Sequence, residues 1–354
     1  MELQNYIFEN PDYINKLKSD GFIVKNFNKY NLKLIKYPYD KQIDINSYER
    51  FLKGCIIDTK LNKVIFIPPV KAEELNDINI NINEYKIQEL YDGTMINLFY
   101  HNNEWLLSTR SDIGLNNKWS NKSFKQLFKE CSTINYDKLD KEYTYSFVMQ
   151  HKENRNVSIV NENCIILVEV HNKLLQLVDI DTIEPSGFLK VVNHKINNLN
   201  EYINISNINN FNTFSWKGFT IKKDGKRYNY LNEIFEQVKK LKVNSNNPLY
   251  NYIELYKNDN IQNFLFYFGE YLDLFNKYRM VFDVFLNDLY KHYVDNKINK
   301  SIKYDECPFQ LKPLIYELHG LYLNDFKTIS KKRVDEYVNS LDTERLVFVV
   351  KYYI

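Results

Sequence analysis

The chain has 354 residues, enough for two domains of ordinary size. Hydrophobic residues make up 44% and charged residues 26%, the balance of a folded globular protein, which excludes wholesale disorder, a collagen-like repeat and a coiled-coil rod. Lys+Arg 47 against Asp+Glu 45 leaves a formal net charge of +2, so a nucleic-acid or acidic-membrane partner has to be argued from local patches.

Cys55, Cys131, Cys164 and Cys307 form no CxxC pair, which points away from a zinc knuckle or a disulfide scaffold and makes a reducing, intracellular setting the expectation. The first 18 residues mix Asn, Glu, Asp and Lys with apolar ones and lack the apolar core of a signal peptide. No window approaches the roughly 18 apolar residues of a membrane span, so no membrane partner is expected. The 29 Tyr and 23 Phe are too many to serve as base-stacking platforms; most must fill the interior.

A helical pattern is predicted over residues 10–19. From about residue 51 to 221 short β segments dominate: Cys55-Ile-Ile-Asp, Val64-Ile-Phe-Ile-Pro, Met95-Ile-Asn-Leu-Phe-Tyr, Glu104-Trp-Leu-Leu-Ser-Thr, Tyr143-Thr-Tyr-Ser-Phe-Val and Cys164-Ile-Ile-Leu-Val-Glu-Val, bounded by turn residues. Between them Phe124, Leu127, Phe128 and Cys131 recur at helical spacing. After Asn244-Ser-Asn-Asn-Pro248 the pattern becomes helical. One long aromatic-rich helix is predicted over 261–293, with Phe264, Phe268, Tyr271, Leu272 and Phe275 as core, then helices over 309–323 and 333–341, the last capped near Ser330. The fold class is therefore α+β with mixed or antiparallel sheets, followed by an all-α region, with domains 1–245 and 246–354.

The histidines show no HxxxH or HxH pairing, so no metal site is expected; no GxxxxGK[ST], GxGxxG or GxSxG motif occurs. His319 reads as a hydrogen-bonded packing residue. The sharpest local signal is Glu89-Leu-Tyr-Asp-Gly-Thr-Met-Ile-Asn-Leu-Phe99, followed by Leu106-Leu-Ser-Thr-Arg110. Upstream stand Lys53-Gly-Cys-Ile-Ile-Asp58 and Pro68-Pro-Val-Lys71. Downstream come Phe147-Val-Met-Gln-His-Lys-Glu-Asn-Arg155 and Trp216-Lys-Gly-Phe-Thr-Ile-Lys-Lys-Asp-Gly-Lys-Arg227.

In this order the segments resemble the covalent nucleotidyltransferases, specifically ATP-dependent RNA ligases similar to phage T4 RNA ligase 1, over roughly residues 51–242. The resemblance implies a nucleotidyltransferase (ATP-grasp-like ligase) fold with a helical carboxy-terminal domain. In that superfamily a lysine of Lys-x-Asp-Gly attacks the α-phosphate of ATP, carboxylates hold the metal, and further lysines neutralise phosphate charge.

Matched residue by residue, the reactive groups are missing. Leu90 stands at the nucleophile, Val148 and Lys217 at the two carboxylates, and Asn229 and Leu231 at the phosphate-contacting lysines. Lys86, four residues before Leu90, lies too far along a strand to substitute. Lysine at 217 repels Mg²⁺ but favours an anion. The resemblance thus implies a catalytically inactive ligase-like protein that binds RNA, a nucleotide or a protein partner, with Lys53, Asp92, Gly93, Arg110, Arg155 and Lys217 as candidate nucleotide- or phosphate-binding residues. No cofactor is expected. An active ATP- and Mg-dependent RNA ligase with a nucleophile from elsewhere in the chain is the first alternative. A structural protein of a large DNA virus, placed in the cytoplasm, a virus factory or the virion, is the second.

Overall fold

The computed structural model describes residues 2–354 apart from 39–41, 45, 75–84, 119–121, 196–212, 224 and 244. Asp224 of the fourth motif segment and Asn244 of the expected break lie outside the described residues. The chain divides into two compact units, Met1–Lys239 and Lys240–Ile354.

The first unit carries fourteen strands: β1 Ile23–Phe27, β2 Leu32–Lys36, β3 Cys55–Asp58, β4 Lys63–Phe66, β5 Glu73–Glu74, β6 Lys86–Glu89, β7 Thr94–His101, β8 Glu104–Ser108, β9 Tyr143–Gln150, β10 Cys164–Asn172, β11 Leu189–Lys190, β12 Asn193–His194, β13 Gly218–Lys223 and β14 Lys226–Leu231. They form an antiparallel meander β1-β2-β3-β4, a sheet β11-β10-β9-β7-β8 and a sheet β12-β6-β13-β14-β5. The outer pairs β10/β11 and β14/β5 are parallel; the other pairs are antiparallel. The expected α+β class with mixed and antiparallel sheets holds. The meander's first two strands and the helix Glu2–Glu9 had no counterpart in the sequence reading, and the helix expected over 10–19 spans Tyr13–Ser19.

β9 and β10 lie side by side within their sheet and are buried along six and seven consecutive positions; β9 alternates aromatic residues with Thr144 and Ser146, and β10 is an apolar run broken at Glu169. Ile96, Leu98, Tyr145, Phe147, Ile165 and Leu167 pack there with Leu127 and Phe128 of the helix Phe124–Cys131. A capping box starts that helix: Ser123 Oγ accepts from the Gln126 N–H, and Gln126 Oε1 accepts from the Ser123 N–H at 2.8 Å. A polar row crosses the sheet's interior, Asn97 donating to Ser108 Oγ and accepting from Ser146 Oγ, so its buried groups are paired.

The second unit is helical: Pro248–Lys257, Ile261–Tyr267, Leu272–Tyr293, Lys312–Asp325, Lys331–Ser340 and Thr343–Val350. Asn247 caps the first by accepting from the Leu249 N–H, and Ser330 caps Lys331–Ser340 by accepting from Arg333, as its position suggested. The single helix expected over 261–293 is two. Phe268 leaves helical geometry at φ −124°, ψ 55°, and Gly269–Tyr271 forms a 3₁₀ turn. Glycine after the break lowers the cost of interrupting the helix. The aromatic stripe is core, with Phe264, Phe268, Phe275, Phe282 and Phe285 buried, whereas Leu272 is exposed. His319 is packed against the Tyr322 ring, and its Nδ1 finds no hydrogen-bond partner among the described residues.

Candidate functional site

A cavity of about 340 Å³ lies within the first unit. Its apolar wall includes Leu90, Val148, Val168 and Val191, and Gln88, Thr220 and Asn229 supply polar surface. Thr220 Oγ1 donates to Asn229 Oδ1 at 3.0 Å, and the Gln88 amide donates to Asn193 at 2.9 Å, so this surface is ordered by its own hydrogen bonds.

Five cations line the same cavity: Lys53, Lys71, Arg110, Lys217 and Arg227. Lys53 and Arg110 come together because Gly54, at φ +95°, lets the two backbones meet. A Cβ at position 54 would lie 2.8 Å from Arg110 Cα. Arg227 is neutralised by buried Glu169, to which Arg227 Nη1 donates at 2.8 Å and Lys222 Nζ at 2.9 Å. Burial alone would raise the Glu169 carboxyl; the charges of Lys222 and Arg227 outweigh it and bring the pKa to about 2.

Glu169 is thus committed to two other cations. Arg110 Nε is buried and has no hydrogen-bond partner among the described residues. Burial, then Arg227, lowers the Arg110 pKa to about 10, which leaves it charged at neutral pH. Burial, reinforced by Arg110, Lys71 and Lys217, brings Lys53 down to about 8. Lys217 is lowered chiefly by burial, against the opposing pull of Asp92, whose Oδ1 is 3.7 Å away. Glu89 is the one carboxylate among the lining residues, and His194 Nε2 lies 2.9 Å from it. Concentrated positive charge in a low-dielectric cavity is the electrostatic signature of an anion site.

Of the residues singled out from the sequence, Lys53, Leu90, Gly93, Arg110, Val148, Lys217 and Asn229 line this cavity. Asp92, Arg155 and Leu231 are not among its lining residues. Asp92 Oδ2 accepts from the N–H groups of Val157 and Ser158 at 2.8 and 3.1 Å, which ties the segment after β9 to the loop before β7. Arg155 donates twice to the Val157 carbonyl, at 3.1 and 2.9 Å. Leu231 pairs with Gly218 at the end of β14. Lys86 Nζ pairs with Asp179 at 2.9 Å.

Three participants were missed as site residues. Lys71 stood in view in the Pro-Pro-x-Lys segment, and Arg227 closed the fourth motif. Glu169 had one signal, a lone carboxylate within an apolar strand.

The residues suit the phosphates of a nucleotide but not a divalent metal. Val148 offers no ligand, Lys217 brings a cation, and both Asp92 oxygens already accept hydrogen bonds. Among the described residues no group of three or more His, Cys, Asp or Glu side chains is placed to hold a metal ion. No described helix is long and apolar enough to cross a membrane.

Neither a protein-family model nor a curated protein matches the chain. Solved structures similar to it include RNA and DNA ligases. An archaeal ATP-dependent RNA ligase, form 1, is 11% identical, with a TM-score of 0.46, covering 68% of this chain and 64% of that one. A putative ATP-dependent DNA ligase from Aquifex aeolicus is 10% identical, with a TM-score of 0.44, covering 90% and 81%. An apo mutant of a Naegleria gruberi RNA ligase is 10% identical, with a TM-score of 0.33, covering 48% and 56%. The chain spans less than two thirds of the length of the archaeal RNA ligase. Likeness at this level leaves the function to rest on the cleft itself.

Proposed function

We propose that the first unit is a ligase-like nucleotidyltransferase domain that has lost nucleotidyl transfer and acts by binding a phosphate-bearing ligand, a nucleotide or RNA, in the cationic cavity. The observation that carries this reading is Arg110: a half-buried, charged side chain whose buried Nε lacks a hydrogen-bond partner among the described residues, beside Lys53, Lys71 and Lys217, with Leu90 lining the same space. Leucine has no lone pair with which to open a triphosphate. The cavity therefore holds charge without the means to form a phosphoramide at that position.

Lysine at 217 supports binding of the free anion rather than its Mg²⁺ complex, because the ammonium and the metal compete for the same oxygens. Titrating ATP by calorimetry, first without divalent metal and then with Mg²⁺, tests this. Saturable binding without metal, weakened by Mg²⁺ and reduced about tenfold or more by Lys217→Glu, is the expected result. Binding that appears only with Mg²⁺ would overturn it.

One observation favours a second reading, an active ATP- and Mg-dependent RNA ligase with a relocated nucleophile. Lys53 lines the same cavity as Leu90 and is held near 8, so a fraction of its amine is neutral at physiological pH. The missing metal ligands weigh against it. A role as an interaction protein within a larger complex, viral or cellular, leaves the cavity's concentrated charge without a purpose.

A further inference from the structure

A cavity of about 740 Å³ lies within the second unit, between the helices Lys312–Asp325 and Lys331–Ser340. Tyr316, Gly320 and Leu323 line it at the i, i+4, i+7 spacing of one helix face, and Tyr337 and Leu341 add apolar lining. Tyr316 and Leu323 are 70% and 53% exposed, so the cavity opens to solvent. Gly320 deepens it. A Cβ at that position would meet nothing within 4 Å, although glycine is disfavoured inside a helix.

The same helix ends in a protruding ring. Phe326 follows it in left-handed geometry, φ 53° and ψ 21°, which bulky residues rarely adopt, and it is 76% exposed. The turn that presents it is firmly held. The Phe326 N–H donates to the Tyr322 carbonyl at 2.7 Å, and Arg333 donates to the Leu321 and Lys327 carbonyls and to Asp325 Oδ2. An exposed ring on unfavourable backbone and a glycine that opens a cavity are two local losses on one element, and a single contact offsets both.

Gly320 and Phe326 stand roughly 9 Å apart along the helix axis, at 1.5 Å per residue, with exposed Leu323 midway between them. The spacing is self-complementary. When two copies of the helix pack antiparallel about a two-fold axis at Leu323, each Phe326 falls over the other's Gly320 and the two Leu323 side chains meet on the axis. Charge agrees with this placement. Lys327, Lys331 and Lys332 beside the ring are exposed, whereas Glu336 lines the cavity and is 64% exposed, with Lys332 Nζ 3.8 Å away. Glu317 of the same lining is already engaged by Arg345 and Tyr337, which leaves Glu336 for an incoming cation.

We infer that this face is an interface between two copies of the chain, with Phe326 of each seated in the other's Gly320 cavity and Lys327 against Glu336. The contact is isologous and small, so association is weak and concentration-dependent. It is independent of the anion-binding reading.

Sedimentation equilibrium of the full chain from about 1 to 200 µM is the test, and the average mass should rise from one chain toward two. Gly320→Leu fills the cavity from a position where the added side chain starts in open space. Phe326→Asn removes the ring and suits left-handed backbone, so both variants keep the fold, and each should weaken association about tenfold or more. Lys327→Glu should weaken it about fivefold, and adding Glu336→Lys to that chain should recover most of the loss. A single-chain mass at every concentration overturns the interface. Association that Gly320→Leu and Phe326→Asn leave unchanged overturns it too, because the second copy then sits on another surface. A double variant no tighter than Lys327→Glu overturns the pairing of Lys327 with Glu336.

Discussion

Lys53 shows how a small change of surroundings alters what a side chain can do. An exposed lysine stays charged until about pH 10.4, but this one, half-buried among like charges, gives up its proton near 8. The sign follows directly. Below pH 8 the ammonium attracts a bound phosphate; as pH rises through 8 the attraction is lost. Anion affinity should therefore fall about five- to tenfold between pH 7 and 9, and Lys53→Met should bind more weakly at pH 7 without that step. Calorimetric titration of ATP across this range checks it, and superimposable pH profiles for the two proteins would contradict it. Leu90 was legible from sequence because Asp92-Gly93 fixes its register. The cluster in which Glu169 accepts from Lys222 and Arg227 was not, because these partners lie 53 and 58 residues away on another sheet. Spacing arithmetic sees neighbours along the chain, and charge compensation happens across it.

Among the elements, the turn into β7 sets the cavity's floor. Gly93 brings the chain against β9 so closely that an added Cβ would sit 2.4 Å from the Met149 carbonyl oxygen and 2.7 Å from Val148 Cγ1, at a φ of +156°. Gly93→Ala should lower unfolding free energy by about 1–3 kcal/mol, read as a drop in urea midpoint with unchanged slope. An unmoved midpoint would show that β7 and β9 have room to part. β9 and β10 were legible because apolar and aromatic residues dominate them despite the buried Thr144, Ser146 and Glu169. β1 was not, since its half-exposed positions alternate weakly. The break at Phe268 escaped because Phe264, Phe268 and Phe275 keep helical spacing across it. All three rings remain in one cluster, Phe264 lying 4.6 Å from Phe268 and 5.4 Å from Phe275, so periodicity records the shared core and not the interruption.

At the scale of the whole molecule, a sheet-built unit and a helical unit follow one another, and the composition of each could be read from the change of pattern near Pro248. The chain's near-neutral charge concealed its most informative property, because a net of +2 hides a local excess of cations in one cavity. Specific phosphate binding without covalent chemistry is the property that unites the cavity's cations with the leucine beside them. Mass spectrometry of the full chain, recorded from native solution with ATP and no divalent metal and from denaturing solution after incubation with ATP and Mg²⁺, tests that property most directly. The expected result is a nucleotide complex in the native spectrum and the unmodified chain mass after denaturation. A mass increase of one adenylate that survives denaturation, or no complex under native conditions, would contradict it.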